Sequence, residues 1–254
     1  MALKWIEYRG KSFEIAYDIV NPSAEEIIVF LHGWGSNKEI MKQAFATTLK
    51  TVKHIYIDMP GFGKSINSEV LTTQDYSNIV YNFLSKIINS EEFEENYSTL
   101  NTPILPITIV GHSFGGKVAT LLNPKNLVLL STAGILEEKS LNVKLKIKAA
   151  KFLNFFGLGK ITKIFRSKDV NKMNQGMYET FKNVVNEDFT EIFKNYRGNA
   201  YIFWGKEDKA TALSSGEKIH TLMQNSEFLS YNGDHYFFIK NANDITQRLE
   251  NGIL

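Results

Sequence analysis

Five short runs, at residues 26–31, 54–57, 107–110, 127–130 and 200–203, are almost continuously apolar and rich in β-branched side chains. A strand with one face in water alternates apolar and polar residues, whereas a strand covered by helices on both faces does not. Each run is followed by glycine or a polar turn residue. Helix-compatible segments at 39–50, 72–90, 115–122 and 213–224 lie between them. That order is a series of βα units, and it predicts an α/β fold: a mostly parallel, twisted, doubly wound sheet with helices on both faces. The start differs. Residues 4–9 and 12–19 alternate or nearly alternate in polarity around Gly10-Lys11 and predict an antiparallel hairpin. A strand at 227–231 and a helix at 243–251 complete the pattern.

The chain has 254 residues, enough for one large α/β domain with a sizeable core. With 43% hydrophobic and 22% charged residues, its composition is that of a globular protein. Cysteine is absent, which excludes a disulfide scaffold, a thiolate metal site, an iron–sulfur cluster and a cysteine nucleophile. A formal charge of +2 gives no reason to expect nucleic acid as a partner. No apolar run approaches the roughly 20 residues of a membrane span. The first ten residues include Lys4, Glu7 and Arg9, unlike an export signal, and a cytoplasmic location is expected.

Two stretches interrupt the alternation. Residues 89–106, with Glu91, Glu92, Glu94, Glu95 and two prolines, read as a solvated connection. Residues 135–198 contain no convincing strand, and a structureless loop of that length is improbable inside a compact domain. Leu145, Ala149, Phe152, Leu153 and Phe156 fall on one helical face. The expected division is a core of residues 1–134 and 198–254 interrupted by a helical insertion at 135–197.

Gly111-His112-Ser113-Phe114-Gly115-Gly116 follows the run at 107–110 directly and opens a helix-compatible segment. In that context Gly-x-Ser-x-Gly is a tight strand-to-helix turn that holds the serine out above the sheet, with small neighbours where the backbone is crowded. A serine hydroxyl needs an adjacent base, and the base needs a third group to fix its tautomer. Of the five histidines, His112 adjoins the serine and is expected to face away, His32 begins a turn, His54 opens a strand and His220 lies in a predicted helix. His235 follows the last strand, at the edge of the sheet where open α/β folds bind ligands, and is the candidate base. Asp208, on the turn after the strand at 200–203, is the preferred carboxylate over Glu207, with Asp234 the weaker alternative. The loop after the strand at 26–31 can supply a second oxyanion donor, which assigns the backbone N–H groups of Trp34 and Phe114.

Five motifs in order carry a resemblance: His-Gly-Trp-Gly at 32–35, Asp-Met-Pro-Gly-Phe-Gly-Lys-Ser at 58–65, the turn at 111–116, Trp-Gly-Lys-Glu-Asp at 204–208 and Gly-Asp-His at 233–235. Over nearly its whole length the chain resembles the α/β-hydrolase superfamily. The resemblance implies the α/β-hydrolase fold, a helical cap formed by the insertion, no metal or cofactor, and catalysis by Ser113, Asp208 and His235 in that chain order. The segment 32–65 is similar to bacterial carboxylesterases of the pimeloyl methyl ester type and to meta-cleavage-product hydrolases, which split carbon–carbon bonds in 2-hydroxy-6-oxo-dienoates. The latter usually carry asparagine before the nucleophile and Gly-His-Trp at the base, where this chain has His112 and Gly233-Asp234-His235-Tyr236. Ester hydrolysis is therefore the expected reaction, with carbon–carbon cleavage as the alternative. A non-catalytic binding protein of the same fold is disfavoured because every catalytic role is filled, and Ser113 disfavours the relatives that use an aspartate nucleophile.

Residues 137–172 hold ten Lys or Arg and three acids, a net of +7 that leaves −5 for the remainder. Leu145, Phe152, Phe155 and Phe156 are expected to roof an acyl pocket. The lysines are candidates to attract an anionic substrate, an acidic acyl carrier protein or an anionic membrane surface. Solvated lysines on the wet face of a helix explain the same pattern without a partner.

Overall fold

The computed structural model describes residues 1–88, 104–136 and 174–252. Among the described residues eight strands form one sheet in the order β1-β2-β4-β3-β5-β6-β7-β8. Strands β1 (Ala2–Tyr8) and β2 (Lys11–Val20) pair antiparallel, and β2 also runs antiparallel to β4 (Lys53–Ile57). The other pairings, through β3 (Ile27–Leu31), β5 (Leu105–His112), β6 (Pro124–Leu130), β7 (Asn199–Gly205) and β8 (Ser226–Tyr231), are parallel.

The near-continuous apolar runs divide between two cores because successive strand residues point to opposite faces. Val29, Leu31, Ile55, Ile57, Ile109, Leu127, Leu129, Ile202 and Trp204 face one core. It is covered by α2 (Thr73–Ile87), α3 (Phe114–Leu121) and α6 (Leu213–Leu222). Ile28, Phe30, Tyr56, Val110, Val128, Leu130 and Phe203 face the other core, under α1 (Lys38–Phe45) and α7 (Phe238–Gly252). Truncating one such side chain to alanine costs about 2–5 kcal/mol. The hairpin is fastened separately. Asp75 completes a capping box with Thr72 at the start of α2 and also accepts from Tyr8 Oη (2.8 Å) and pairs with Arg9 (2.9 Å).

Element ends depart from the sequence expectation for local reasons. Helix α1 stops at Phe45 rather than 50, where Thr48 Oγ1 donates to Phe45 O (2.8 Å) and Leu49 takes φ 46°. Helix α7 starts at Phe238 rather than 243, because Phe238, Ala242, Ile245 and Leu249 form a buried stripe. Strand β5 begins before the apolar run and takes in Pro106 at a register shift, where the missing N–H removes no ladder bond.

Within the predicted insertion, α4 (Gln175–Val184) and α5 (Thr190–Asn195) are described, and Met177, Val184, Phe189 and Phe193 join the first core. Lys117 of α3, only 2% exposed, donates to Val184 O (2.5 Å) and Glu187 (2.8 Å) and so ties the end of α4 to the helix that follows Ser113. The roof residues Leu145, Phe152, Phe155 and Phe156, the basic cluster of 139–172 and most of the connection at 89–106 lie outside the described residues. Among the described residues no helix is long and apolar enough to cross a membrane.

Candidate active site

Ser113 occupies the turn between β5 and α3 with φ 52° and ψ −115°, a conformation that costs a non-glycine residue energy and persists only when its surroundings over-determine it. Here they do. Its N–H donates to Leu130 O (3.1 Å), and its carbonyl accepts from Gly116 N (3.0 Å), Ala133 N (3.1 Å) and Thr132 Oγ1 (3.1 Å). The flanking glycines are required by space. A Cβ on Gly111 would lie 2.5 Å from Gly115 O, and one on Gly115 would lie 2.5 Å from Leu31 O.

Asp208 follows β7 in a turn closed by its own N–H to Gly205 O (3.2 Å) and braced by Trp204 Nε1–H donating to Thr211 O (2.9 Å). Its Oδ1 accepts from the N–H groups of Ala210 (2.7 Å) and Thr211 (3.0 Å). Its Oδ2 accepts from Thr211 Oγ1 (2.9 Å) and His235 Nδ1–H (2.7 Å). Burial alone would raise the Asp208 pKa, but the hydrogen bonds from His235 and Thr211 outweigh it and hold the carboxyl well below the ordinary carboxylate range. Of the alternatives, Glu207 is exposed, and Asp234, also exposed, accepts from Tyr236 N (2.9 Å). With Nδ1 donating to Asp208, the neutral imidazole of His235 leaves Nε2 as its acceptor.

The structure thus joins Asp208 to His235, and it brings His235 against His112, the residue before Ser113, with ring centroids 4.5 Å apart. Ser113 Oγ is not hydrogen-bonded to His235 among the described contacts, and catalytic bonds of this kind commonly tighten only with substrate bound. The sequence expects His112 to face away from the serine; what it does not reveal is that the ring is 1% exposed with Nε2 3.0 Å from His235 O. Thr211 and Thr132 were also missed, since a threonine in a loop carries no signal of what it will bond.

Trp34 and Phe114 meet across the mouth of the site with centroids 5.4 Å apart. Phe114 is the first residue of α3, so its N–H has no intrahelical acceptor. Phe62 (4.9 Å) and Phe181 of α4 (5.4 Å) complete an aromatic wall around Trp34. Beside Trp34, His32 donates from Nδ1 to Gly33 O (2.8 Å) and accepts at Nε2 from Met59 N (3.1 Å). Burial lowers its pKa to about 4 and keeps it neutral. A cavity of about 560 Å³ lies elsewhere, lined by Tyr81, Thr120, Asn123 and Tyr196 near the far end of α3. Thr120 is seven residues along the chain from Ser113, so at about 1.5 Å per residue that cavity is remote from the serine.

A family description, "Alpha/beta hydrolase family", matches residues 28–213. No curated protein matches in sequence. Among solved structures, a thermophilic esterase from Thermogutta terrifontis superposes with a TM-score of 0.70 at 14% identity, covering 99% of this chain and 97% of that one. An esterase from Exiguobacterium antarcticum gives 0.71 at 16% identity, with 97% of each chain covered. A bromoperoxidase from Bacillus anthracis gives 0.70 at 15% identity, with 98% of each covered. Likeness at this identity is a likeness of fold.

Proposed function

The chain belongs to the alpha/beta hydrolase family, and from that premise we propose that it is a serine hydrolase cleaving a carboxylic ester through an acyl-enzyme intermediate. The observation that carries the reading is the Asp208–His235 bond of 2.7 Å beside a serine held at φ 52° on the strand-to-helix turn. Ser113 Oγ attacks the ester carbonyl carbon while His235 Nε2 takes the hydroxyl proton. Asp208 holds Nδ1–H and stabilises the imidazolium that forms. The N–H groups of Trp34 and Phe114 receive the oxyanion. Collapse of the tetrahedral intermediate breaks the carbon–oxygen bond to the alcohol, which leaves with the proton from His235. Water, deprotonated by the same imidazole, then releases the acid and restores Ser113. Trp34, Phe62 and Phe181 form the apolar wall against which the substrate rests.

A fluorophosphonate probe tests this directly. Wild type is expected to be labelled and Ser113→Ala to be inert; an unlabelled wild type, or equal labelling of the two, refutes the enzyme reading. Short-chain nitrophenyl esters should turn over and a coloured 2-hydroxy-6-oxo-dienoate should not; the reverse result would assign carbon–carbon cleavage instead.

A further inference from the structure

His112 has an unusual pair of surroundings. Its Nε2 lies 3.0 Å from the main-chain carbonyl oxygen of His235, an acceptor, so Nε2 carries the proton and donates it there. Its Nδ1 is therefore the lone-pair nitrogen, and it is buried without any hydrogen-bond partner among the described residues. The turn opposite lies close to it: a Cβ on Gly33 would lie 2.9 Å from Nδ1 and 3.1 Å from Ser113 Cβ. Any side chain at position 33 would press on the ring and on Ser113. The ring is enclosed on its other sides by His235 (4.5 Å), Phe238 (4.8 Å) and Tyr236 (5.2 Å). An unsatisfied buried acceptor costs on the order of 1–3 kcal/mol, and a leucine or methionine would fill the space without that cost. What the imidazole supplies that they do not is the Nε2–H donor.

We propose that His112 is a positioning residue that ties the nucleophile to its general base, being covalently adjacent to Ser113 and hydrogen-bonded to the backbone of His235. This rests on the serine-hydrolase reading above. The chain reaches His235 from β8 through Asn232 and Gly233, whose φ of 142° marks an irregular turn, so the base sits on a loop rather than on a rigid element. Asp208 fixes the imidazole of His235 from one side. His112 fixes its main chain from the other, and the two restraints together set where Nε2 of His235 falls relative to Ser113. The titratable groups around His112 are His235, Asp208, His32 and Tyr236. Burial, reinforced by His235, lowers the His112 pKa to about 3, so it stays a neutral donor while His235 gains and loses its proton.

The test compares His112→Leu, His112→Gln and His112→Asn with wild type on a nitrophenyl ester. Gln places an N–H near the position of Nε2, whereas Asn mimics Nδ1. The expected result is a kcat loss of roughly 10- to 100-fold for Leu and Asn at nearly unchanged KM, with Gln recovering most of it, the scale set by a small misplacement of a catalytic group. Full activity in His112→Leu, or Gln no better than Asn, overturns the proposal. Nitrogen NMR of wild type decides independently of how the variants fold. His112 should remain the neutral Nε2–H tautomer from about pH 5 to about pH 9, and a titrating ring or an Nδ1–H tautomer overturns the assignment. Failure of wild type to react with the fluorophosphonate would instead refute the serine-hydrolase reading, so the two failures are distinguishable.

Discussion

Asp58 and Asp208 stand at corresponding places, just beyond parallel strands β4 and β7, and both use their carboxylates to fold the loop that follows. Asp58, 1% exposed, accepts from the N–H groups of Lys38 (2.7 Å) and Lys64 (3.0 Å), with Lys38 Nζ 3.9 Å away. Asp208, 8% exposed, accepts from two main-chain N–H groups as well, but its Oδ2 also receives the imidazole of His235. Asp58 is thus closed on itself and staples the loops that carry Trp34 and Phe62. Asp208 is a staple that also holds the ring of a histidine from the next strand's loop, which the proposed mechanism puts to use. A strand-end aspartate is a common local device, and its role is set by what another strand delivers to it.

The largest effect should separate the two. Asp208→Asn is expected to lower kcat on nitrophenyl esters by about 10³- to 10⁴-fold with the fold intact, because the imidazole loses the partner that fixes its tautomer. Thermal unfolding measured beside the kinetics checks that the loss is chemical. Asp58→Ala should do the opposite, destabilising by about 3 kcal/mol in a denaturant titration, since Lys38 loses a buried partner, while fluorophosphonate labelling of the folded fraction persists. Equal losses of activity at equal stability would erase the distinction.

Acid unfolding sharpens it further. Because the Asp208 pKa is depressed in the fold, its contribution to stability is complete above the unfolded carboxyl value of about 3.9 and is lost as pH falls through the lower folded value. In Asp208→Asn, stability should therefore fall less steeply with acid below about pH 4 than in wild type. The smallest effect is expected from Thr211→Val, which removes one donor from Oδ2 and should lower kcat about fivefold, matching a hydrogen bond of about 1 kcal/mol.

Much of this was legible before any coordinates. Period-2 alternation at the start and its absence in the later runs distinguish the hairpin from the buried parallel strands. The spacing of Gly111, Ser113 and Gly115 reports a crowded turn, because only glycine tolerates the contacts that the structure shows there. Choosing Asp208 over Asp234 required more, since the two sit at similar chain distances from any strand end and differ only in where their loops fold. His112 marks where local reading stops: its position in the motif suggests a side chain turned away from the serine, but nothing local reveals that its Nε2–H meets the His235 carbonyl.

Sequence by itself determined the order of elements, the burial of the central strands and the identity of the strained serine, because each depends on hydrophobic periodicity and on steric limits a few residues long. Tertiary structure alone decided which carboxylate meets His235, how Lys117 fastens the returning helix, and that the rings of His112 and His235 meet at a tilt next to Ser113. Those contacts join residues up to 123 positions apart. They exist because the parallel strands β5, β6, β7 and β8 follow one another in the sheet and end at one edge of it, an adjacency created by packing rather than by any local preference.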